Sequence, residues 1–253
     1  MEIIDTHCHI EQDEFDIDRK QVIPQCKQVG VWMITSAITP NSWKKAIEIG
    51  KEFDNVEVAI GLDPMKWDKL DDAALFIEKN ENQIVAIGEV GLDHYIVRNH
   101  DDREKQESAF RKMIMLSNNL NLPIQIHSRS AGRRAIKTLS DMDAKNVHMH
   151  AFDGKSSLAR MASKDLGYYF SIPPSVVRSP QKKKLVKAVD IERLMVETDS
   201  PVLGPFKGVR NVPMNIEVAI REIASILHRG EDEILSIVLE NSLGLYKRIK
   251  DRF

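Results

Sequence analysis

The chain has 253 residues, 42% of them hydrophobic and 29% charged, with a formal net charge of −2. That balance describes a globular protein with enough apolar material for a large core. It excludes a uniformly basic nucleic-acid coat, so any attraction for a polyanion must come from a local patch. The two cysteines, Cys8 and Cys26, separated by a predicted helix, form no disulfide framework and suit a reducing interior. Met1-Glu2-Ile3-Ile4-Asp5 lacks a basic start and a long apolar run, so it does not read as a signal peptide. No stretch approaches the ~20 apolar residues that span a bilayer, and a cytoplasmic protein without a membrane partner is expected.

Short β-rich runs recur at Ile3–Ile10, Val31–Ile38, Val56–Leu62, Ile84–Leu92, Pro123–Ser128, Asn146–Phe152, Tyr168–Pro173 and Leu194–Pro201. Amphipathic stretches separate them. The clearest runs from Asp102 to Asn119, where Phe110, Met113, Ile114 and Leu120 fall at helical spacing. Asp153-Gly154-Lys155-Ser156 predicts a helix start, and Ser179-Pro180 offers an N-cap with proline in the first helical position. After Pro201 a loop rich in Gly, Pro and basic residues leads into a helix from about Asn215 to His228. Glu231 to Glu240 and Asn241 to Lys250 predict two more helices. Eight strands alternating with helices favour a closed (β/α)8 barrel of the TIM type over a doubly wound open sheet. Site residues at position 7 on the first strand and 199 on the eighth favour the barrel, which sets those strands side by side. Residues 1–253 read as one barrel domain without linker or repeat.

His7-Cys8-His9 places two imidazoles on one face of a strand end, while Cys8 points the other way as a packing residue. In a barrel that end is the C-terminal mouth, where active sites are built. Glu89 stands in an apolar strand, where a carboxylate is costly to bury unless paired or bound to metal. His127 ends the fifth run. In the sixth, His148 and His150 share a face; spacing leaves the choice open, but His150 lies nearer the mouth. Asp199 ends the eighth, with Pro201 helping to stop the pairing and Glu197 one step deeper, suited to orienting ligands or binding a basic group. Four imidazoles and two carboxylates make a mixed N/O set suited to Zn²⁺ or Mn²⁺, with Mg²⁺ possible where water completes the shell. One catalytic metal keeps an open position, so six ligands fit two divalent metal ions bridged by a carboxylate.

Asp5-Thr6-His7-Cys8-His9, Gly88-Glu89-Val90-Gly91-Leu92-Asp93, Ile126-His127-Ser128-Arg129, His150-Ala151-Phe152-Asp153-Gly154 and Glu197-Thr198-Asp199-Ser200-Pro201 resemble the blocks of the TatD family of deoxyribonucleases. Arg210-Asn211-Val212-Pro213 and Glu240-Asn241-Ser242 through Leu245-Tyr246 are similar to its tail motifs. The resemblance implies a barrel in which His7, His9 and Asp199 hold one metal, His127 and His150 the other, and Glu89 bridges them. The Ala-Phe-Asp-Gly after His150 and the segment Ser171-Ile172-Pro173-Pro174-Ser175 depart from the commoner family forms.

The expected activity is metal-dependent hydrolysis of DNA phosphodiesters, as an exonuclease using water activated by two metals. Asp199 would act as general base and Glu89 would complete the catalytic pair. Arg129 and Arg210 would bind substrate phosphate. The expected partner is nucleic acid, as single strands or strand ends, with no obligate protein partner. Lys182, Lys183, Lys184, Lys207 and Arg210 cluster in late loops; the lysine run reads by default as a solvated face, though a basic rim suits a nuclease. Trp67 could stack on a base, whereas Trp32 sits in a strand and reads as core. The alternative is an amidohydrolase-type enzyme acting on a small ester, lactone or amide. An inactive metal-binding scaffold would be expected to lack a ligand or the base, and neither is missing.

Overall fold

The computed structural model describes residues 2–252. Its strands are β1 (Ile3–Cys8), β2 (Val31–Ala37), β3 (Val56–Ile60), β4 (Ala86–Gly91), β5 (Ile124–His127), β6 (Val147–Met149), β7 (Tyr169–Ile172) and β8 (Leu194–Val196). All pair in parallel and in chain order. Between and after them run α1 (Arg19–Gln28), α2 (Pro40–Glu52), α3 (Leu70–Lys79), α4 (His100–Leu120), α5 (Gly132–Asp141), α6 (Ser156–Asp165), α7 (Pro180–Val186), α8 (Ile216–Leu227) and α9 (Glu231–Leu245). This is the TIM-type barrel that the alternation predicts. The strands are buried on both faces, as parallel strands wrapped by helices must be. Among the described residues, no helix is long and apolar enough to cross a membrane.

Local chemistry sets the helix boundaries. Asn99 caps α4 by accepting from the Asp102 amide (2.8 Å), and Asn121 ends it in the left-handed conformation that asparagine tolerates. Ser179 caps α7 with Pro180 at its first position, as predicted. Several expectations need correction. α6 begins at Ser156 rather than Asp153, because Asp153 instead turns its carboxylate to the Ser130 amide (2.9 Å). The two helices predicted for 231–250 are one continuous helix to Leu245, since Asn241 stays helical and spends its side chain on the Ile191 and Leu194 carbonyls (2.8 and 2.7 Å). Cys26 lies inside α1 rather than beyond it. Cys8 packs as expected, fully buried with Sγ 3.5 Å from the Ile34 carbonyl.

The predicted strands 6 and 8 are also cut short. Ala151 (φ 41°) and Asp199 (φ 52°) adopt left-handed backbone, which no ladder accommodates, so pairing stops at Met149 and Val196. Gly154 is required by close approach, because a Cβ there would sit 2.4 Å from the Phe152 ring.

The β8–β1 seam carries no ladder among the described residues; bonds near the mouth close it. Asp5 accepts from the Thr198 amide (2.7 Å) and hydroxyl (2.5 Å), and the Thr6 hydroxyl donates to the Val196 carbonyl (2.8 Å). The His9 amide donates to Ser200 O (2.8 Å) and the Asp199 amide to His7 O (2.9 Å). At the other end, Ile4, Ile34, Ala59, Ala86 and Met195 form an apolar cluster with Leu245 and Tyr246. The Tyr246 hydroxyl reaches His148 Nδ1 (2.6 Å) and Gln125 Nε2 (3.0 Å), so its ring fills the barrel interior. Tyr246→Phe leaves both groups short of a buried partner. It should cost about 1–3 kcal/mol, read as a lower urea midpoint at unchanged slope.

Candidate metal centre

Each of the six side chains expected at the mouth comes from a strand end or just beyond. His7 and Glu89 lie within β1 and β4, and His127 is the last residue of β5. His9 and His150 follow their strands by one residue, and Asp199 follows β8 by three. The left-handed turn at Asp199 brings its carboxylate back over β1. Gly91 serves the same neighbourhood: at φ 145° it passes so close to the His127 carbonyl that a Cβ would lie 2.0 Å from that oxygen.

The six converge. Glu89 Oε2 faces His7 Nε2 and His9 Nε2, both at 3.5 Å. Glu89 Oε1 faces the other pair, His127 Nδ1 at 2.5 Å and His150 Nε2 at 3.0 Å. Asp199 Oδ1 stands 3.4 Å from His9 Nε2 and 3.8 Å from His7 Nε2. Three sets of potential ligand atoms each lie within 4.8 Å of one another: His7, His9, Glu89; His7, His150, Asp199; and Glu89, His127, His150. Five of the six residues are buried, and His127 is half-buried.

The opposite ring nitrogens meet a further layer of oxygens. His7 Nδ1 lies 3.0 Å from Gln125 Oε1 and 3.2 Å from Ser36 Oγ. His127 Nε2 lies 3.0 Å from Asp93, His9 Nδ1 3.7 Å from Glu11, and His150 Nδ1 3.6 Å from Glu197. Gln125 and Asp93 orient His7 and His127 by hydrogen bonds, while Glu11 and Glu197 act on His9 and His150 through their charge. Glu197 fits the orienting role expected of it. Its other contacts are the Ala151 amide (2.8 Å) and the Ser171 hydroxyl (2.6 Å). Glu11, Asp93 and Gln125 received no role from the sequence, although Glu11 and Gln125 each stand two residues from a candidate ligand, on the same side of an extended chain. His148 lies deeper, between Tyr246 and Ser171 (both 2.6 Å), and does not join the cluster.

The electrostatics favour a cation. Burial opposes ionisation of Glu89, yet His150 and His127 hold its carboxyl well below the usual range. Burial also disfavours charged His127, but Glu89 and Asp93 outweigh it and raise the imidazole to about 9. His9 and His150 are likewise raised against burial by neighbouring carboxylates. Burial and the neighbouring His150 lower His7. His7 Nε2, His9 Nδ1 and His150 Nδ1 are buried without a hydrogen-bond partner. Buried polar atoms normally find one. The orphaned His7 Nε2, which faces Glu89 and Asp199 inside an N/O donor set, fits a divalent cation of the Zn²⁺, Mn²⁺ or Mg²⁺ kind.

The basic residues divide. Lys182 is buried, not part of a solvated face, and donates to the Ala151 carbonyl (3.1 Å). Burial lowers its pKa although Glu197 and Asp199 attract its charge. With Glu197 on the amide side, it pins the strained Ala151 backbone beside His150. Lys183 pairs with Glu222 (2.6 Å). Arg129 is exposed, its guanidinium 3.9 Å from the centre of the Tyr95 ring. Arg210 is already engaged by Asp18 (Nη1–Oδ1 3.0 Å) and the Glu14 carbonyl (2.6 Å), over the Phe15 ring. Its neighbour Asn211 is buried and holds the Thr198 and Val202 carbonyls (2.8 and 2.9 Å), bracing the loop behind Asp199. Trp67 is half-buried against the core, with Lys105 Nζ 5.9 Å from its ring centre.

The sequence model of a family described as "TatD related DNase" matches residues 4–247. The chain is 35% identical to human "Deoxyribonuclease TATDN3", covering 98% of this chain and 96% of the relative. It is 34% identical to an uncharacterized metal-dependent hydrolase of Methanocaldococcus jannaschii, covering 97% of both. A crystal structure of a TatD family hydrolase from Entamoeba histolytica superposes with a TM-score of 0.85 at 25% identity, covering 97% of this chain and 98% of that one.

If these side chains bind cations only when folded, Mn²⁺ or Zn²⁺ should raise the melting temperature of chelator-treated protein. Glu197→Gln should weaken metal affinity by roughly 10–100-fold, measured by titration calorimetry on protein of unchanged circular dichroism.

Proposed function

The chain belongs to the TatD family of metal-dependent hydrolases, and we propose that it cleaves DNA phosphodiester bonds at strand ends or in single strands. One observation carries the two-metal form of this reading: Glu89 turns its two oxygens to different histidine pairs. His7, His9 and Asp199 would hold one cation, His127 and His150 the other, with Glu89 between them. Divalent cations bound there supply a more acidic water and neutralise charge on phosphate oxygens.

The side chains do the rest. Asp199, at the mouth rather than in the lumen, accepts the proton of the attacking water as general base. Glu89 fixes the spacing of the two halves. Arg129, exposed beside Asp93 and His127, receives the phosphate, with Tyr95 holding its guanidinium plane. Arg210 would contact substrate only by leaving Asp18. The human relative named a deoxyribonuclease supports DNA as substrate. Burial of five of the six residues supports a strand or frayed end, which enters such a site more easily than an intact duplex.

End-labelled single- and double-stranded DNA, incubated with Mg²⁺, Mn²⁺, Zn²⁺ or EDTA, tests the proposal. Products should shorten progressively from one end, favour single strands and vanish with EDTA. Asp199→Asn should lower turnover by about 10²–10⁴; a near-normal rate at intact metal content would remove Asp199 from the base role. Hydrolysis of 4-nitrophenyl acetate without cleavage of any DNA would favour the ester, lactone or amide alternative.

A further inference from the structure

A cleft of about 950 Å³ opens just outside the ends of β5 and β6. Its near edge is formed by Ser130 and Asp153, each three residues beyond a proposed ligand, His127 and His150 respectively. Three residues of chain span at most about 11 Å, so the cleft adjoins the metal centre on the side of those two histidines.

Its lining is mainly basic. Arg133 on α5, Lys155 before α6 and Lys184 on α7 all line it. Among the described residues, none of these three side chains has a carboxylate or hydrogen-bond partner. On α5 and α7 the neighbouring cations are paired, Arg134 with Glu107 (2.5 Å), Lys137 with Asp141 (2.7 Å) and Lys183 with Glu222 (2.6 Å), whereas among the described residues Arg160 and Lys164 on α6 extend the unpaired set. Asp153 is the one carboxylate among the described lining residues, and it accepts the Ser130 amide. The first turn of α6 contains no acidic residue and no side-chain cap, leaving its amides to add to the positive field. Leu158 and Met161 provide an apolar wall. A chain of net charge −2 thus concentrates unpaired positive charge beside a cluster rich in carboxylates.

We infer that this cleft binds the backbone phosphates of the nucleotides next to the scissile bond, with Arg133, Lys155 and Lys184 as the contacts. The inference rests on the phosphodiesterase reading and gives the strand a direction across the mouth, over the β5 and β6 loops. Unpaired cations from three elements suit a flexible polyanion, because each releases counterions as a phosphate arrives. The apolar wall suits a sugar or base face.

Two substrates separate the cleft from the centre. Phosphorothioate-linked hexathymidylate with a fluorescent end label is long enough to fill both, whereas thymidine 5′-(4-nitrophenyl phosphate) reaches the centre alone. With metal-loaded full-length protein, Arg133→Ala/Lys184→Ala should weaken hexamer binding at least tenfold by fluorescence anisotropy. The slope of log affinity against log salt should fall by roughly 1.4, about 0.7 for each lost contact to a single strand. The ratio of kcat/KM for an ordinary hexamer to that for the one-nucleotide diester should fall at least tenfold. Lys155→Ala should act in the same direction. Hexamer affinity and salt slope matching the unsubstituted protein would overturn the inference, as would equal losses on both substrates. If the unsubstituted protein cleaves no diester with any metal, the nuclease reading fails, and the anisotropy measurement still decides whether the cleft holds a strand.

Discussion

The seam between β8 and β1 is where the barrel and its chemistry become one problem. No ladder joins those strands among the described residues. Instead Asp5 grips Thr198 through amide and hydroxyl, and the backbone bonds of His9 to Ser200 and Asp199 to His7 tie the two strand ends. The residues so joined are, or adjoin, three of the six that converge at the mouth. A shift of β8 along β1 would therefore both open the sheet and draw Asp199 away from His7 and His9. Burial raises the pKa of Asp5 well above the usual carboxylate range even against the Thr198 bonds. The seam thus relies on a carboxyl group whose charge is poorly solvated and whose bonds must be well made.

Around that seam lies an unusual density of ionisable groups in a low-dielectric setting. Isolated buried carboxylates are costly, and their cost falls only with opposite charge or well-placed donors. Glu89, Asp199, Glu197 and Glu11 meet that condition through imidazoles, hydroxyls and amides. Three of the four rings in the cluster are drawn towards the charged form in consequence. The outer partners Gln125, Asp93, Glu11 and Glu197 come from four different segments. The rings of His7, His127 and His150 are therefore oriented by parts of the barrel other than the strands that carry them, and only His9 by its own segment.

Much of this was legible in the sequence. Eight β-rich runs with ligand-type residues near five of their ends are a periodic signal, and periodic signals survive folding. His7 and His9 could be paired from spacing alone, and His148 could be placed deeper than His150 for the same reason. What escaped detection depends on contacts between distant segments. Nothing local marks Gln125 as the partner of His7, 118 residues away, or Glu197 as that of His150. The ends of β6 and β8 were placed too late because Ala151 and Asp199 adopt left-handed backbone that neither residue favours, held there by the surroundings. Lys182 looked like its solvated neighbours and is buried, because α7 turns that one position of the lysine run towards Ala151. The sequence offers Arg210 as a phosphate contact, but Asp18, 192 residues away, already holds it.

Tyr246 gives the architecture a temporal meaning. Its hydroxyl supports Gln125 and His148 beneath the ligand cluster, and Gln125 in turn holds His7. The seam likewise joins residues about 190 positions apart. On the ribosome, a nascent chain that has made β1 to β7 carries all four histidines of the cluster and Gln125, but neither the eighth strand nor the Tyr246 hydroxyl that supports Gln125. Contacts of such long sequence separation form late. A hydrolytic centre built this way is completed only once residues 194–246 have joined the barrel.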